Sequence, residues 1–424
     1  MKLLHASLLF ILFGMVPLAW GAPLSLQECL NKAAENNPAL KSASWDSRIA
    51  EENSQIASVA AYPRVDANAG YTMQKQPQAV ILRGTETETQ DKNYAFAGIA
   101  ASYTLYDFGR RDARILKEQA YTEAASQGYM FSRSDVALQV IEAYFRVLEA
   151  SKLTQAAGEE VTQITEHRRV AQVLLEEGTV TRNDVLQADV RLASARQKQL
   201  TMRNKLENSW LQLNFLTGSA PDFRGELDET TAVNSTGQTT GANDSSSAGK
   251  RHDILTQKQV LAARGYEVDE NRENYLPEIY TRLGMDYVQN DRVREQAIYS
   301  ATVGIRINLF DGFAAEAAHE KAVKQRSRQQ DALRLAQQRA LLEIATARND
   351  EAIARERIGV SEVAIRQSEE NLRINRERYR ERVGTATEVL DAQTLSTQAK
   401  TEHYRALYDY QVAAARLQSA RGEL

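Results

Sequence analysis

Glu388 and Asp391 stand three residues apart in the stretch Val383-Gly384-Thr385-Ala386-Thr387-Glu388-Val389-Leu390-Asp391. That spacing puts both carboxylates on one face of a helix's first turn, where the helix dipole favours negative charge. A second glycine-containing turn, Glu176-Glu177-Gly178-Thr179, precedes Asp184-Val185-Leu186-Gln187. The chemistry within reach of such groups is electrostatic. They are acids that start a helix, or, if identical chains close into a tube, a ring of negative charge that attracts cations. No other constellation competes with them. His5, His167, His252, His319 and His403 are scattered without metal-ligand spacing. No phosphate-cradling glycine loop, nucleophile elbow or HExxH occurs. The sequence therefore points away from an enzyme and implies no cofactor and no structural metal.

The elements that must position these acids are written twice. Leu105-Tyr106-Asp107 returns 204 residues later as Leu309-Phe310-Asp311, Val185-Leu186 returns as Val389-Leu390, and Ala188 as Ala392. In each half a strand-like run ends in an aromatic residue, an aspartate and a glycine, Asp107 with Gly109 and Asp311 with Gly312. A long charged segment follows, with the Asp placed to cap a helix.

Upstream of each junction Pro63 or Pro277 ends a helix and opens a strand. Val65, Ala67, Ala69, Tyr71 and Met73 alternate with polar residues, as do Ile99, Ala101, Tyr103 and Leu105. In the second half the same holds for Ile279, Leu283, Met285 and Tyr287, and for Val303, Ile305, Ile307 and Leu309. Period two over roughly 10 residues is the pattern of a strand that crosses a bilayer at a tilt. Lys75 to Asn93 reads as a polar loop, and the 214-residue offset from Pro63 to Pro277 makes the first hairpin the longer one.

Gly109 to Glu177 and Gly312 to Arg382 contain no proline. Each would make a helix about 100 Å long at 1.5 Å per residue. Asn183 to Leu216 carries Val185, Ala188, Leu192 and Ala195 at heptad spacing, and Ala392, Ala399, Ala406, Ala413 and Ala420 recur every seventh residue. Such a repeat keeps one close-packed seam toward a partner helix. Leu24 to Ala61 is helical around a break at Asn36-Asn37-Pro38, with Trp45, Ile49, Ile56 and Val59 as its apolar contacts.

Residues 1–21 read as a cleaved export signal: Lys2, an apolar run from Leu8 to Leu18, then Ala19-Trp20-Gly21. Residues 22–232 form the first structural repeat, 233–250 a flexible linker by composition, and 251–424 the second repeat. The lone Cys29 reads as a half-buried helix residue. Past the signal no apolar run is long enough for a membrane helix. A net charge of −4 over 424 residues provides no basic field for nucleic acid.

Taken together, the two-fold repeat, the junctions YDFG and FDG, Leu276-Pro277 before a strand and above all VGTATEVLDAQ from Val383 to Gln393 resemble the TolC-like outer membrane efflux proteins. The likeness spans the whole mature chain. It implies a mainly α protein with a membrane β-barrel part: four transmembrane strands from each of three chains closing a 12-stranded barrel, continued by a long α-helical coiled-coil barrel in the periplasm. It also implies an exit duct for efflux or type I secretion. The partners would be a homotrimer, a periplasmic adaptor, an inner-membrane transporter of the RND or ABC type, and outer-membrane lipid. Glu388 and Asp391 match the family's paired aspartates at the periplasmic gate, with Glu388 longer by a methylene. Tyr379, Arg380 and Arg382, with Asp184, take the positions of groups that hold the closed state. Gly178 and Gly384 mark the helix-hairpin turns, although Gly178 lies seven before Val185 and Gly384 only five before Val389. The most flexible point of the turn is thus expected to move between the halves. The competing reading is a periplasmic coiled-coil structural or adaptor protein that never enters the membrane, which leaves the four amphipathic strands unexplained.

Overall fold

A computed structural model describes residues 23–230 and 244–424. In chain order it contains α1 (Leu26–Asn36), α2 (Pro38–Ser58), β1 (Arg64–Met73), β2 (Ala79–Leu82), β3 (Thr85–Glu88), β4 (Asn93–Tyr106), α3 (Arg110–Glu176) and α4 (Arg182–Thr217). Then follow α5 (Asp244–Ala248), α6 (His252–Glu273), β5 (Glu278–Val288), β6 (Ala297–Arg306), α7 (Ala314–Arg380) and α8 (Ala386–Arg421). The expected export signal lies outside the described residues. The chain divides into two compact units. Among the described residues, one is built from 23–35, 140–230 and 367–408, the other from 36–139, 244–366 and 409–424.

The second unit holds an antiparallel sheet in the order β1-β4-β5-β6. Its register puts Ala67, Ile99, Met285 and Tyr299 in one row and Asn68, Gly98, Asp286 and Ile298 in the next. Because strand side chains alternate, one face collects Val65, Tyr71, Met73, Leu283, Tyr299 and Val303, and the other the polar residues. The apolar face stays open to the surroundings within one chain: Met73 is 77 % exposed and Tyr299 78 %. On the polar face the Phe96 ring covers Gly70, where an added Cβ would come within 2.6 Å of it. Tyr280 covers Gly304 in the same way, with Arg306 stacked 4.9 Å from its ring. An aromatic laid over a glycine closes the gap that a missing side chain leaves in a strand.

Both strand-to-helix junctions are capped. Asp107 accepts from the backbone N–H of Gly109 (3.3 Å) and Arg111 (2.9 Å), and Asp311 from those of Ala314 (3.0 Å) and Ala315 (2.9 Å). Each carboxylate satisfies N–H groups that the first helical turn leaves free. The turn itself needs two left-handed residues, Phe108 (φ +58°) with Gly109 (+101°) and Gly312 (+71°) with Phe313 (+69°). The repeat register is kept, while the glycine and the phenylalanine exchange places.

Four local expectations are corrected. The polar loop after β1 folds into the ribbon β2-β3 about a turn at Arg83 (φ +51°) and Gly84 (+84°), values that match the right-handed twist of two short strands. Of the linker, residues 231–243 lie outside the described residues, and 244–248 form α5. This end is held because Asp244 pairs with Arg348 and Ala248 packs with Ile254, Ala340 and Ile344. The last strand stops at Arg306 instead of reaching Leu309, because its partner β5 begins at Glu278, which faces Arg306. Trp45, Ile49, Ile56 and Val59 of the first helical segment, expected to be packed, are exposed, Trp45 by 58 % and covered only by Arg48 at 4.7 Å.

In the first unit Tyr144, Phe145, Leu153 and Leu213 are fully buried. The Tyr144 hydroxyl lies 2.8 Å from the carbonyl of Asp228 and 3.1 Å from that of Leu24, at the point where Leu24 bridges Leu227. The expected heptad seam is buried at Val185, Ala188, Leu192 and Ala195 on α4. Cys29 is fully rather than half buried, and burial pushes its thiol up to about 12.

Two outcomes follow. Asp311→Ala is expected to cost about 1 kcal/mol and to raise amide exchange at Ala314 and Ala315, read by hydrogen exchange of the detergent-solubilised protein. Cys29 should resist a maleimide at pH 8 until denaturant is added. Rapid labelling of the folded protein would show that α1 is not packed as described.

Candidate functional site: the paired helix turns

The two turns lie in the first unit and share one geometry. In the α3–α4 turn the N–H of Gly178 donates to Leu175 O (2.9 Å) and that of Thr179 to Leu174 O (2.9 Å). In the α7–α8 turn the N–H of Arg382 donates to Tyr379 O (3.2 Å) and that of Val383 to Arg378 O (2.9 Å). Every donor and acceptor sits 204 residues from its counterpart. The left-handed residue is Gly178 (φ +73°) in one turn and Arg382 (+65°) in the other.

The expected shift of the flexible point is therefore overturned. The backbone keeps its place, and an arginine takes the conformation that glycine adopts freely. Gly384 does another job: a Cβ there would lie 3.1 Å from Arg378 Cβ and 3.1 Å from Glu388 Oε2.

The acids that follow are caps first. Asp184 Oδ2 accepts from the Thr181 N–H (3.0 Å) and hydroxyl (3.3 Å). Glu388 Oε2 accepts from Thr385 N–H (2.9 Å), while the Thr385 hydroxyl accepts from Glu388 N–H (3.3 Å). This reciprocal pair is a capping box. Arg378 Nη1 stands 3.9 Å from the other Glu388 oxygen. Asp391 accepts from Arg191 Nη2 on α4 at 3.0 Å. Glu388 and Asp391 thus share a helix end but not a partner.

Further bonds join the α3–α4 hairpin to the α7–α8 hairpin. The Thr387 hydroxyl donates to Gln187 (2.9 Å), Arg382 Nη2 lies 3.5 Å from Glu177, and Arg376 Nη2 donates to Gln163 (2.8 Å); the same Nη2 also donates to Gln393 of its own hairpin (2.7 Å). Below them Tyr379 packs with Ala386, Val389, Val170 and Leu174, its ring 5.2 Å from that of His167. Burial pushes the Tyr379 hydroxyl up, and burial, then Arg376, hold the His167 imidazole below its ordinary value.

The structure thus gathers Asp184, Tyr379, Arg380, Arg382, Glu388 and Asp391, with Gly178 and Gly384, at the paired turns. Asp107, Gly109, Asp311 and Gly312 belong to the junctions of the other unit, where Pro63 directly precedes β1 and Pro277 directly precedes β5. Sequence reasoning missed Arg191, Glu177, Gln187, Arg376 and His167. For four of them a signal was present, since they sit where the halves differ, Arg191 against Leu395, Gln187 against Asp391, Arg376 against Gln172 and His167 against Asn371, while Glu177 falls against the identical Glu381. A cross-brace between two copies of one design needs such asymmetry, since a donor has to meet an acceptor.

The family model for outer membrane efflux proteins matches residues 29–219 and 245–423, which takes in both hairpins and both strand pairs. The chain belongs to the outer membrane efflux protein family. It is 22 % identical over 410 residues to the outer membrane efflux protein BepC of Brucella suis biovar 1, covering 94 % of this chain and 86 % of that one. It is likewise 22 % identical over 411 residues to the alkaline protease secretion protein AprF of Pseudomonas aeruginosa, covering 95 % and 85 %. The solved structure of the outer membrane protein VceC from Vibrio cholerae shares the fold with a TM-score of 0.83 at 18 % identity, over 94 % of this chain and 96 % of that one. A member of this family is a transport conduit of the outer membrane for efflux or type I secretion and not an enzyme. That membership sets aside the soluble coiled-coil alternative. Among the described residues no helix is long and apolar enough to cross a membrane.

Replacing Arg382 by glycine should keep the turn and raise stability by up to about 1 kcal/mol, because the left-handed strain goes. Gly178→Val puts the same strain in and should lower it by roughly 1–2 kcal/mol. Calorimetric unfolding in detergent reads both.

Proposed function

We propose that three copies of this efflux protein close their sheets into one 12-stranded barrel in the outer membrane and that the paired helix turns gate its periplasmic entrance. The observation that carries this reading is the four-stranded sheet, with its apolar face exposed and β1 and β6 left as open edges. A lipid-facing strand must have its backbone groups paired, and four strands are too few to close a barrel. Pairing β6 of one copy with β1 of the next satisfies both edges.

Residues 1–21 export the chain. A periplasmic adaptor then joins it to an inner-membrane transporter of the RND or ABC type, as the secretion role in the name of AprF and the efflux role in that of BepC suggest. Substrate passes without chemistry.

In the resting gate the bonds Arg191–Asp391, Arg382–Glu177 and Thr387–Gln187 hold the two hairpins of each chain together. Each bridge is exposed and individually weak, about 0.2–1 kcal/mol for a surface ion pair. Their sum is small enough for a docked adaptor to overcome. Asp391 is the carboxylate that cutting its bridge sets free, while Glu388 stays committed to its capping box.

Two experiments test the reading. The mature protein extracted in detergent should run as a trimer, about three times the chain mass, from the outer-membrane fraction. A soluble monomer in the periplasmic wash would sink it. In planar bilayers Arg191→Ala with Arg382→Ala should raise single-channel conductance several-fold, and Glu388→Ala with Asp391→Ala should abolish block by divalent cations. Unchanged conductance and unchanged block in the two double mutants would remove the gate from these turns and leave the duct intact.

A further inference from the structure

Beneath the paired turns a cavity of about 280 Å³ lies between α3 and α7, closed on one side by Val389 of α8. Gln163, Glu166 and His167 line it from α3, and Arg376, Tyr379 and Arg380 from α7. Two of these side chains are more than nine-tenths buried, Tyr379 at 5 % exposure and His167 at 9 %. Neither the Tyr379 hydroxyl nor His167 Nε2 has a hydrogen-bond partner in the protein. A buried hydroxyl or ring nitrogen left unpaired costs the full desolvation of that group, so a cavity that presents two of them is built to receive something polar.

The charge of the lining decides what. Arg376 donates only to the two glutamines, Gln163 and Gln393, and among the described residues neither Arg376 nor Arg380 has a carboxylate within ion-pair distance. The single acid, Glu166, is already held by two bonds from Arg169, at 2.6 and 2.9 Å. Two guanidiniums, a phenol hydroxyl and an imidazole therefore face a space with no free anion in it. Glu166 does act on Arg380, and Asp184 on His167 and Tyr379, but two guanidiniums outnumber the one acid on the wall, so the space favours an anion over a cation.

We propose that this cavity is a binding site for a small oxyanion, a sulfate, phosphate or organic carboxylate group, held by Arg376 and Arg380 and by the Tyr379 hydroxyl. Arg376 and Arg380 supply charge-assisted hydrogen bonds, the strong kind. These ligands all stand on α7, and the unpartnered His167 Nε2 brings the α3 wall to the same anion, so a bound anion adds a brace beneath the exposed ones at the turns. His167 tunes its strength. The charged and titratable groups around that ring are Glu166 on its own helix, Asp184 at the start of α4, and Arg376, Tyr379 and Arg380 on α7; α8 brings only Val389. Burial, then Arg376, keep the ring neutral to below its ordinary titration range. When it does take a proton, the site gains a third positive charge and the anion binds more tightly.

The probe is sodium sulfate, which stays a dianion across the range, titrated by calorimetry into the full chain in detergent against chloride of equal ionic strength. One saturable site per chain is expected. Its affinity should fall by about tenfold or more in Arg376→Gln and in Arg380→Ala, the latter an exposed residue whose loss does not threaten folding, and by less in Tyr379→Phe. As the pH falls through the ordinary imidazole range and below it, affinity should rise in the unmodified protein and stay flat in His167→Gln. No saturable heat would mean that water fills the cavity. Binding that survives Arg380→Ala and Arg376→Gln alike would mean an adventitious ion elsewhere. Either result overturns the site, and a pH rise that persists in His167→Gln overturns the part given to that ring. The titration reads neither assembly nor conductance, so its failure and the failure of the gate are separate results.

Discussion

A strand in hydrocarbon has nowhere to send its backbone N–H and C=O groups except to another strand. Everything about this chain's sheet follows from that constraint. β4 and β5 sit inside the sheet and are paired on both sides, although they come from different halves of the sequence. β1 and β6 are paired on one side only. In a soluble protein such long open edges, flanked by an exposed apolar face, would invite aggregation. In the proposed trimer β6 of one copy pairs with β1 of the next, around a ring, until no edge remains. The polar face then has to line a lumen, which accounts for the glycines on it. Phe96 and Tyr280 lie flat over Gly70 and Gly304 instead of projecting.

Repetition supplies the frame, and departures from it supply the function. The two junctions keep their left-handed positions in register although Phe and Gly trade places, and the two tip turns keep theirs although Arg382 replaces the glycine. Backbone geometry is thus held more strictly than residue type. Strain of about 1–2 kcal/mol at one left-handed residue is small beside the packing of two long helices, so the fold imposes the turn on whatever residue is present. The bridges between the hairpins behave in the opposite way. They occur where the halves differ, because two identical surfaces related by a repeat offer like charge to like charge.

This contrast also explains what could be read from the sequence. The helices, the four strands and the caps Asp107 and Asp311 are local, and periodicity, proline and the repeat make them legible. The ribbon β2-β3 was not, since its apolar run is too short to declare a period. Nor was the burial of α2: Trp45 and Ile49 have the types of core residues, and only the packing shows them exposed in one chain. At the turns the sequence marked Glu388 and Asp391 as a pair because they are neighbours on a helix. It could not show that Glu388 caps its own helix while Asp391 reaches across to Arg191, since Arg191 lies 200 residues away. Tyr379 and Arg382 could be marked by position, whereas His167 and Arg376 are marked only by differing from their counterparts in the other half, Asn371 and Gln172.

The division of labour between the two acids constrains any gate built from them. A carboxylate accepting the Thr385 N–H satisfies a donor that α8 would otherwise leave free, and pulling it away to bind an ion would cost about 1 kcal/mol of helix end. Asp391 has no such duty, since its bond is to a side chain that can swing away. Charge at the entrance is therefore fixed at Glu388 and switchable at Asp391. In the proposed gate, separating the hairpins draws the Arg191 guanidinium away from Asp391 and leaves that carboxylate unneutralised beside the passage. A gate with that coupling would draw cations most strongly when open. In the proposed gate the bond that holds the resting state would also set the ion selectivity of the conducting one.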